Sequence, residues 1–263
     1  NLSRVTWPPF ELGETVARLA EAVGRGDVRR VCVQVTVSKE YFRRTLDVVR
    51  AIRAASDVPV DAAILPRDVS RVEQLLAAGV DHVGFGLDAA CERVFRRVKG
   101  RDWHEALALI ETAAQQFPTR SAVHLIVGLG ETEAEMARLI QRLHDWGAVV
   151  GLFAFTPLRG TAMEDVSPPL LGTYRRVQTA RYLIVHGLAR AEQFAFEDGQ
   201  LIAFNVHRLR ELLAGGVAFQ TSGCPDCNRP FYNERPGGVM YNYPRPLKST
   251  EVEQAIDGMK ILA

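Results

Sequence analysis

The chain has 263 residues, of which 47% are hydrophobic and 24% charged, with a formal net charge of +1. That is the size of one α/β barrel or two small domains of ordinary globular composition. The near-neutral charge excludes an electrostatic case for binding nucleic acid or a membrane surface. No apolar run approaches the roughly 18 residues that span a bilayer, and no signal peptide is visible. Four cysteines in a chain of this length make no disulfide scaffold, so a reducing cytoplasm is expected.

Apolar, strand-like runs alternate with amphipathic, helix-like runs. Residues 12–24 read as a helix with no strand in front of it. Strand 28–36 then precedes helix 41–56, strand 58–65 precedes helix 69–78, and strand 81–86 precedes helix 103–116. Strand 122–128 precedes helix 133–146, and strand 148–155 precedes helix 171–186. The strand runs are short, rich in Val, Ile or Phe, and apolar almost throughout, as parallel strands buried on both faces are. Asp68 and Ser70 mark one helix start, and Gly79 and Gly147 follow two helix ends.

Five strands do not close an eight-stranded barrel. The chain begins at Asn1 rather than Met, so a longer polypeptide is expected. A strand lying upstream of Asn1 would complete six βα units. The expected fold is therefore α/β, a partial (β/α)6 TIM-like barrel with its site at the C-terminal strand ends. Residues 194–263 lose the alternation and read as an irregular C-terminal cap with a last helix over 250–261. The chain divides as a barrel, 1–193, and a cap, 194–263.

Several strand ends carry chemistry. Ile126-Val127-Gly128-Leu129-Gly130-Glu131 sits where a strand gives way to a helix. Its glycines suit close approach of a ligand to backbone N–H groups, or a plain βα turn. Asp88 ends another strand, as a hydrogen-bond acceptor for a ribose or as a helix N-cap. In Phe153-Ala154-Phe155-Thr156-Pro157-Leu158-Arg159, the aromatics suit stacking on a base and Arg159 suits a carboxylate, although Phe153 reads as core. Cys32 and Cys91, taken alone, read as small buried hydrophobes, and His124 as hydrogen-bonded packing.

Cys224-Pro225-Asp226-Cys227 stands apart from the barrel pattern. Two thiols three residues apart can face one metal from a tight turn, which Gly223 and Pro225 favour. The expectation is a metal site laid over the barrel mouth. A single CxxC needs further ligands, from Cys32, His207 or an external group. A structural zinc turn and an iron–sulfur cluster both fit. Tyr232, Asn233, Arg235, Tyr241 and Tyr243 line a site or pack the tail.

Together these segments resemble the radical SAM superfamily, in particular its biotin and lipoyl synthase branch. His124-Leu125-Ile126-Val127-Gly128-Leu129-Gly130-Glu131 matches the family's Gly-x-Ile-x-Gly-x-x-Glu pattern except at its first position. Gly86-Leu87-Asp88 is similar to Asn-Leu-Asp, and Arg159-Gly160-Thr161 to part of Lys-Gly-Thr-Pro-Leu. The resemblance runs from about Leu12 to Gly199. It implies a CxxxCxxC loop upstream of Asn1 that binds a 4Fe–4S cluster, and S-adenosylmethionine (SAM) held by Gln34, Thr36, Asp88, His124, Ile126, Gly128, Phe155 and Arg159. Gln34-Val35-Thr36 stands where the family has Gly-Gly-Glu.

Cys32 falls at the first ligand of the biotin synthase 2Fe–2S cluster. The other two positions correspond to Ala62 or Ala63 and to about Ala122, so biotin synthase itself is not implied. The tail from Gln220 to Gly238 is instead similar to that of two-protein lipoyl synthases. That implies an auxiliary iron–sulfur cluster on Cys224, Cys227 and Cys32, and sulfur insertion into an octanoyl chain started by a 5′-deoxyadenosyl radical. The implied partners are an octanoylated carrier (a lipoyl domain or the glycine-cleavage H protein), a second radical SAM subunit, and an electron donor such as ferredoxin or flavodoxin. The alternatives are a related radical enzyme without sulfur insertion and a degenerate, zinc-clipped barrel acting as a scaffold.

Overall fold

A computed structural model describes residues 8–227, 229 and 238–261. After helix α1 (Leu12–Gly24), strands β1 (Val31–Gln34), β2 (Val60–Ala63), β3 (His82–Asp88), β4 (Ser121–Val127) and β5 (Val149–Ala154) form one parallel sheet in sequential order. Helices α2 (Tyr41–Ala55) and α3 (Val69–Ala77) follow β1 and β2. Two helices, α4 (Glu92–Lys99) and α5 (Trp103–Gln116), follow β3. Helices α6 (Glu133–Asp145) and α7 (Leu171–Val185) follow β4 and β5. This is the expected open, partial barrel.

Each strand turns alternate side chains to opposite faces. Val83, Phe85, Val123, Leu125, Val150 and Leu152 point outward against the helices and are almost fully buried. Each such side chain contributes roughly 1.5–3 kcal/mol of hydrophobic stabilisation. The inward face is different. Gly84, Gly86 and Gly151 alternate there with polar residues, and the interior is left hollow.

Helix α4 is absent from the sequence expectation. Its run Glu92-Arg93-Val94-Phe95-Arg96-Arg97-Val98-Lys99 is mostly charged, with only Val94 and Phe95 buried. Gly100, with φ 60°, ends it in the left-handed conformation.

The C-terminal segment is less irregular than its composition implies. Strands β6 (Ala195–Glu197) and β7 (Gln200–Ala203) form a hairpin across Asp198-Gly199, both with positive φ, as a two-residue primed turn requires. Helices α8 (Leu209–Leu213) and α9 (Ser249–Asp257) follow. Phe204, Phe219, Val252 and Met259 join the same apolar core as the barrel.

A buried ion pair fastens this segment. Arg176 of α7 grips Glu133 of α6 with two bonds of 2.8 and 2.6 Å. Glu133 also accepts from Leu201 N, and Arg176 donates to Met259 O. One pair therefore ties two barrel helices to the hairpin and to the end of α9. Glu133→Gln is expected to cost about 3–5 kcal/mol because it strands the Arg176 charge. Glu14→Gln, at an exposed pair with Arg18, is expected to change stability by about 0–1 kcal/mol. Urea unfolding of the two variants checks the contrast.

Candidate functional site

The inward faces of the strands line a cavity of about 840 Å³. Its C-terminal end is built from Gln34, Thr36, Asp88, Ile126 and Phe155, with Thr156 and Leu158 beyond them. Asp88 lies at a β-bulge with φ 63°, a left-handed position that Asp tolerates better than most residues. It is not a helix N-cap, since α4 starts after Cys91. Its carboxylate pairs with Lys99, the last residue of α4, which also lines the cavity.

Six further residues expected at a site lie outside this cavity. Gly128, with φ +104°, stands outside the lining, and a Cβ there would meet Pro169 at 2.9 Å. Gly130 faces Arg97 in the same way. The N–H groups of Gly128 and Leu129 are taken by the Glu131 carboxylate at 2.7 and 2.9 Å, so this turn satisfies itself instead of presenting free donors. Arg159 is exposed and outside the cavity, because Thr161 turns back onto Leu158 O and swings the intervening residues outward. His207 is exposed and outside it as well. Tyr241 packs edge-to-face on Tyr174 and donates to Pro169 O. Tyr243 packs under Arg175. Tyr232, Asn233 and Arg235 lie outside the described residues.

Midway along the cavity, His124 stacks edge-to-face on Phe153 at 5.2 Å. Burial, helped by the charge of Arg229, lowers its pKa to about 4, so its ring is neutral near pH 7.

The N-terminal end of the cavity holds the thiols. Register makes Cys32 the cross-strand neighbour of Asp61, and Asp61 that of His82. Asp61, rather than Ala62 or Ala63, is therefore the residue beside Cys32. Arg30 Nη1 and His82 Nδ1 both reach Asp61 Oδ1, each at 2.8 Å. Burial opposes ionisation of Asp61, but donation from His82 and Cys224 and the Arg30 charge outweigh it and hold the carboxyl below its usual range. An ionised carboxylate only accepts, so His82 carries its proton on Nδ1.

The tail reaches this end by pairing with the free edge of β5. Leu152 N donates to Ser222 Oγ at 2.9 Å, and Arg229 Nη2 donates to Leu152 O at 2.6 Å. Gly223 and Gly151 meet backbone to backbone, since a Cβ on Gly223 would lie 3.1 Å from Gly151 Cα. Across the gap, Asp226 approaches Arg29, just before β1, at 3.9 Å. Among the described tail residues, Ser222 to Cys227 and Arg229 thus span the two sheet edges, and Cys224 and Cys227 stand near the N-terminal strand ends rather than over the C-terminal mouth. The reason is local: the unpaired groups of an edge strand need partners, and Ser222 and Arg229 supply them.

Cys32, Cys224 and Cys227 consequently line one cavity. Cys32 is no buried hydrophobe, for its thiol opens into this space. The surrounding cavity walls displace water from the Cys32 thiol and, with Asp61 second, push it up to about 11, and the same causes raise Cys224 further. Arg229 is 4% exposed, donates to Cys227 Sγ at 3.4 Å and has no carboxylate partner among the described residues. Its Nε and that of Arg30 are buried without partners. A buried cation beside thiols suits an anionic group such as thiolate-ligated metal. Potential ligand atoms of Asp61, His82 and Cys224 lie within 4.8 Å of one another. Sequence reasoning missed Asp61 and His82. The usable signal was Asp61 itself, a carboxylate in an otherwise apolar strand.

A family model described as the Radical SAM superfamily matches residues 6–143. No curated protein matches the sequence. Among solved structures, HydG, a maturase of the FeFe-hydrogenase, aligns with a TM-score of 0.57 at 12% identity, over 69% of this chain and 44% of that one. Methylornithine synthase aligns with a TM-score of 0.54 at 11% identity, over 70% and 55%. HydG from Carboxydothermus hydrogenoformans aligns with a TM-score of 0.51 at 16% identity, over 70% and 46%. These likenesses show a shared fold. The chain spans about half the length of the structures it matches. No helix among the described residues is long and apolar enough to cross a membrane.

Two expectations follow from this geometry. Gly223→Ala forces a side chain onto φ +98° and onto the β5 backbone, at a cost of about 1–3 kcal/mol. Faster alkylation of Cys224 and Cys227 by a maleimide would report the released tail. His124 titrates near pH 4 in the folded state, against about 6.5 when unfolded. Between those values the unfolded chain binds more protons, so stability rises with pH and is lost as pH falls toward 4. In His124→Gln that part of the slope disappears, as urea midpoints measured across pH 4 to 7 would reveal.

Proposed function

The chain belongs to the radical SAM superfamily, and from that premise we propose that it inserts sulfur into an octanoyl chain held on a carrier-protein lysine, as one subunit of a two-protein lipoyl synthase. The observation that carries this reading is the convergence of Cys32, from a barrel strand, with Cys224 and Cys227, from the tail, at the opposite end of the cavity from Asp88. A radical enzyme that only rearranges or methylates has no use for a second thiol-rich end. A zinc clip that merely fastens a tail has no need to open into the barrel.

When bound, the family's 4Fe–4S cluster and SAM supply a radical able to take hydrogen from an unactivated carbon, and an auxiliary cluster supplies sulfur. The side chains divide the remaining work. Asp88, fixed by Lys99, accepts from ribose hydroxyls. Ile126 and Phe155 pack on the adenine, and Gln34 and Thr36 face the methionyl group. No role falls to Gly128 or Arg159. Phe153, beside His124, walls the middle of the cavity, where an alkyl chain lies with one end toward each pole and water is excluded. Arg30 and Arg229 balance the negative charge of the thiolates. The octanoylated carrier is a lipoyl domain or the glycine-cleavage H protein. A second radical SAM subunit and a ferredoxin or flavodoxin complete the system in a reducing cytoplasm.

Iron and sulfide are measured on full-length protein after anaerobic reconstitution, beside a Cys224→Ala/Cys227→Ala variant. About eight irons falling to about four supports two cubane clusters. About four in both leaves a one-cluster radical enzyme with a structural tail pair. Zinc without iron leaves a scaffold.

A further inference from the structure

Three thiols leave a cluster of the cubane kind one protein ligand short of four. We infer that Asp61 supplies that ligand, with Arg30 and His82 as positioning residues that hold its carboxylate. This rests on the reading of Cys32, Cys224 and Cys227 as ligands of an auxiliary cluster.

Position is the first argument. Asp61 is the register neighbour of Cys32, and it lines the same cavity as all three cysteines. It is only 4% exposed, yet it stands in a strand whose other residues are apolar. A buried carboxylate is retained where something pairs with it.

Contact is the second. Cys224 Sγ and a carboxylate oxygen of Asp61 lie within 4.8 Å of each other. Cluster loading removes the thiol proton, which leaves a carboxylate and a thiolate side by side in a desolvated space. Two anions this close repel unless a cation lies between them, and a metal ion does this directly.

The division of its oxygens is the third. Arg30 and His82 both engage Oδ1, so neither uses Oδ2. His82 reaches Asp61 from the neighbouring strand and is not among the residues lining the cavity, in the arrangement of an outer partner that orients a metal-bound carboxylate. His124 is the other donor in the cavity, but its ring stacks on Phe153 and no thiol donates to it among the described contacts.

The test uses full-length protein, reconstituted anaerobically with iron and sulfide, in wild-type, Asp61→Asn, Asp61→Cys and Cys224→Ala/Cys227→Ala forms. Circular dichroism checks folding, and electron paramagnetic resonance of the reduced protein reads each cluster. Asp61→Asn is expected to lose or alter the auxiliary signal, with up to a twofold drop in iron, while the radical-generating cluster is unchanged. Asp61→Cys is expected to regain wild-type iron with shifted g values, since a thiolate replaces an oxygen. Wild-type iron and a superimposable spectrum in Asp61→Asn overturns the assignment. So does a folded Asp61→Cys protein that fails to regain iron, which makes Asp61 a structural residue. Wild-type iron in the double cysteine variant overturns the auxiliary cluster itself, and Asp61 as its ligand with it.

Discussion

The site depends on one constraint, the hollow inward face of a parallel sheet. Strand residues alternate, so whatever faces inward does so at every second position. Here those positions are Cys32 and Gln34, Asp61 and Ala63, Gly84 and Gly86, His124 and Ile126, and Gly151 and Phe153. Gly84 shows how tightly this is drawn, for a Cβ there would lie 3.1 Å from the His124 ring and 3.2 Å from Ala63 Cα. Larger side chains at the glycines would fill the space that the polar residues face. The outward positions carry the opposite demand and are packed with Val, Leu and Phe.

The register gives the cavity two ends of different chemistry. Cys32, Asp61 and His82 form one rank across three strands. Asp88 and Lys99 meet at the far end. The tail completes the first end by satisfying the β5 edge, so the hydrogen bonds that hold Ser222 and Arg229 also place Cys224 and Cys227. Arg229 does both tasks, capping Leu152 O while standing beside Cys227. In other barrels of this kind the N-terminal strand ends serve stability. Here they bring Cys32, Asp61, Cys224 and Cys227 to one cavity with Arg30 and Arg229 beside them, and that concentration of charge underlies the proposal of a second metal centre.

Much of the barrel was legible in the sequence, because apolar runs of strand length and amphipathic runs of helix length are local patterns. Helix α4 escaped because its burial rests on Val94 and Phe95 alone, too few to show a period. The hairpin escaped although Asp198-Gly199 is a strong turn signal, because its strands are very short. The glycines after β4 were legible as a turn, but not as a turn whose donors Glu131 already takes. Asp88 was legible as a strand-end carboxylate, whereas its partner Lys99 was hidden in the helix that the pattern missed.

The sequence by itself determined the βα alternation, the CxxC turn and the family resemblance, since all of these follow from spacing along the chain. Only the tertiary structure decided that Cys32 opens into the cavity, that Asp61 and His82 stand beside it, and that Cys224 and Cys227 sit at the N-terminal end instead of over the mouth. Those outcomes depend on strand register and on which sheet edge is left unpaired. Both are set by contacts between segments far apart in the chain, and no local period records them.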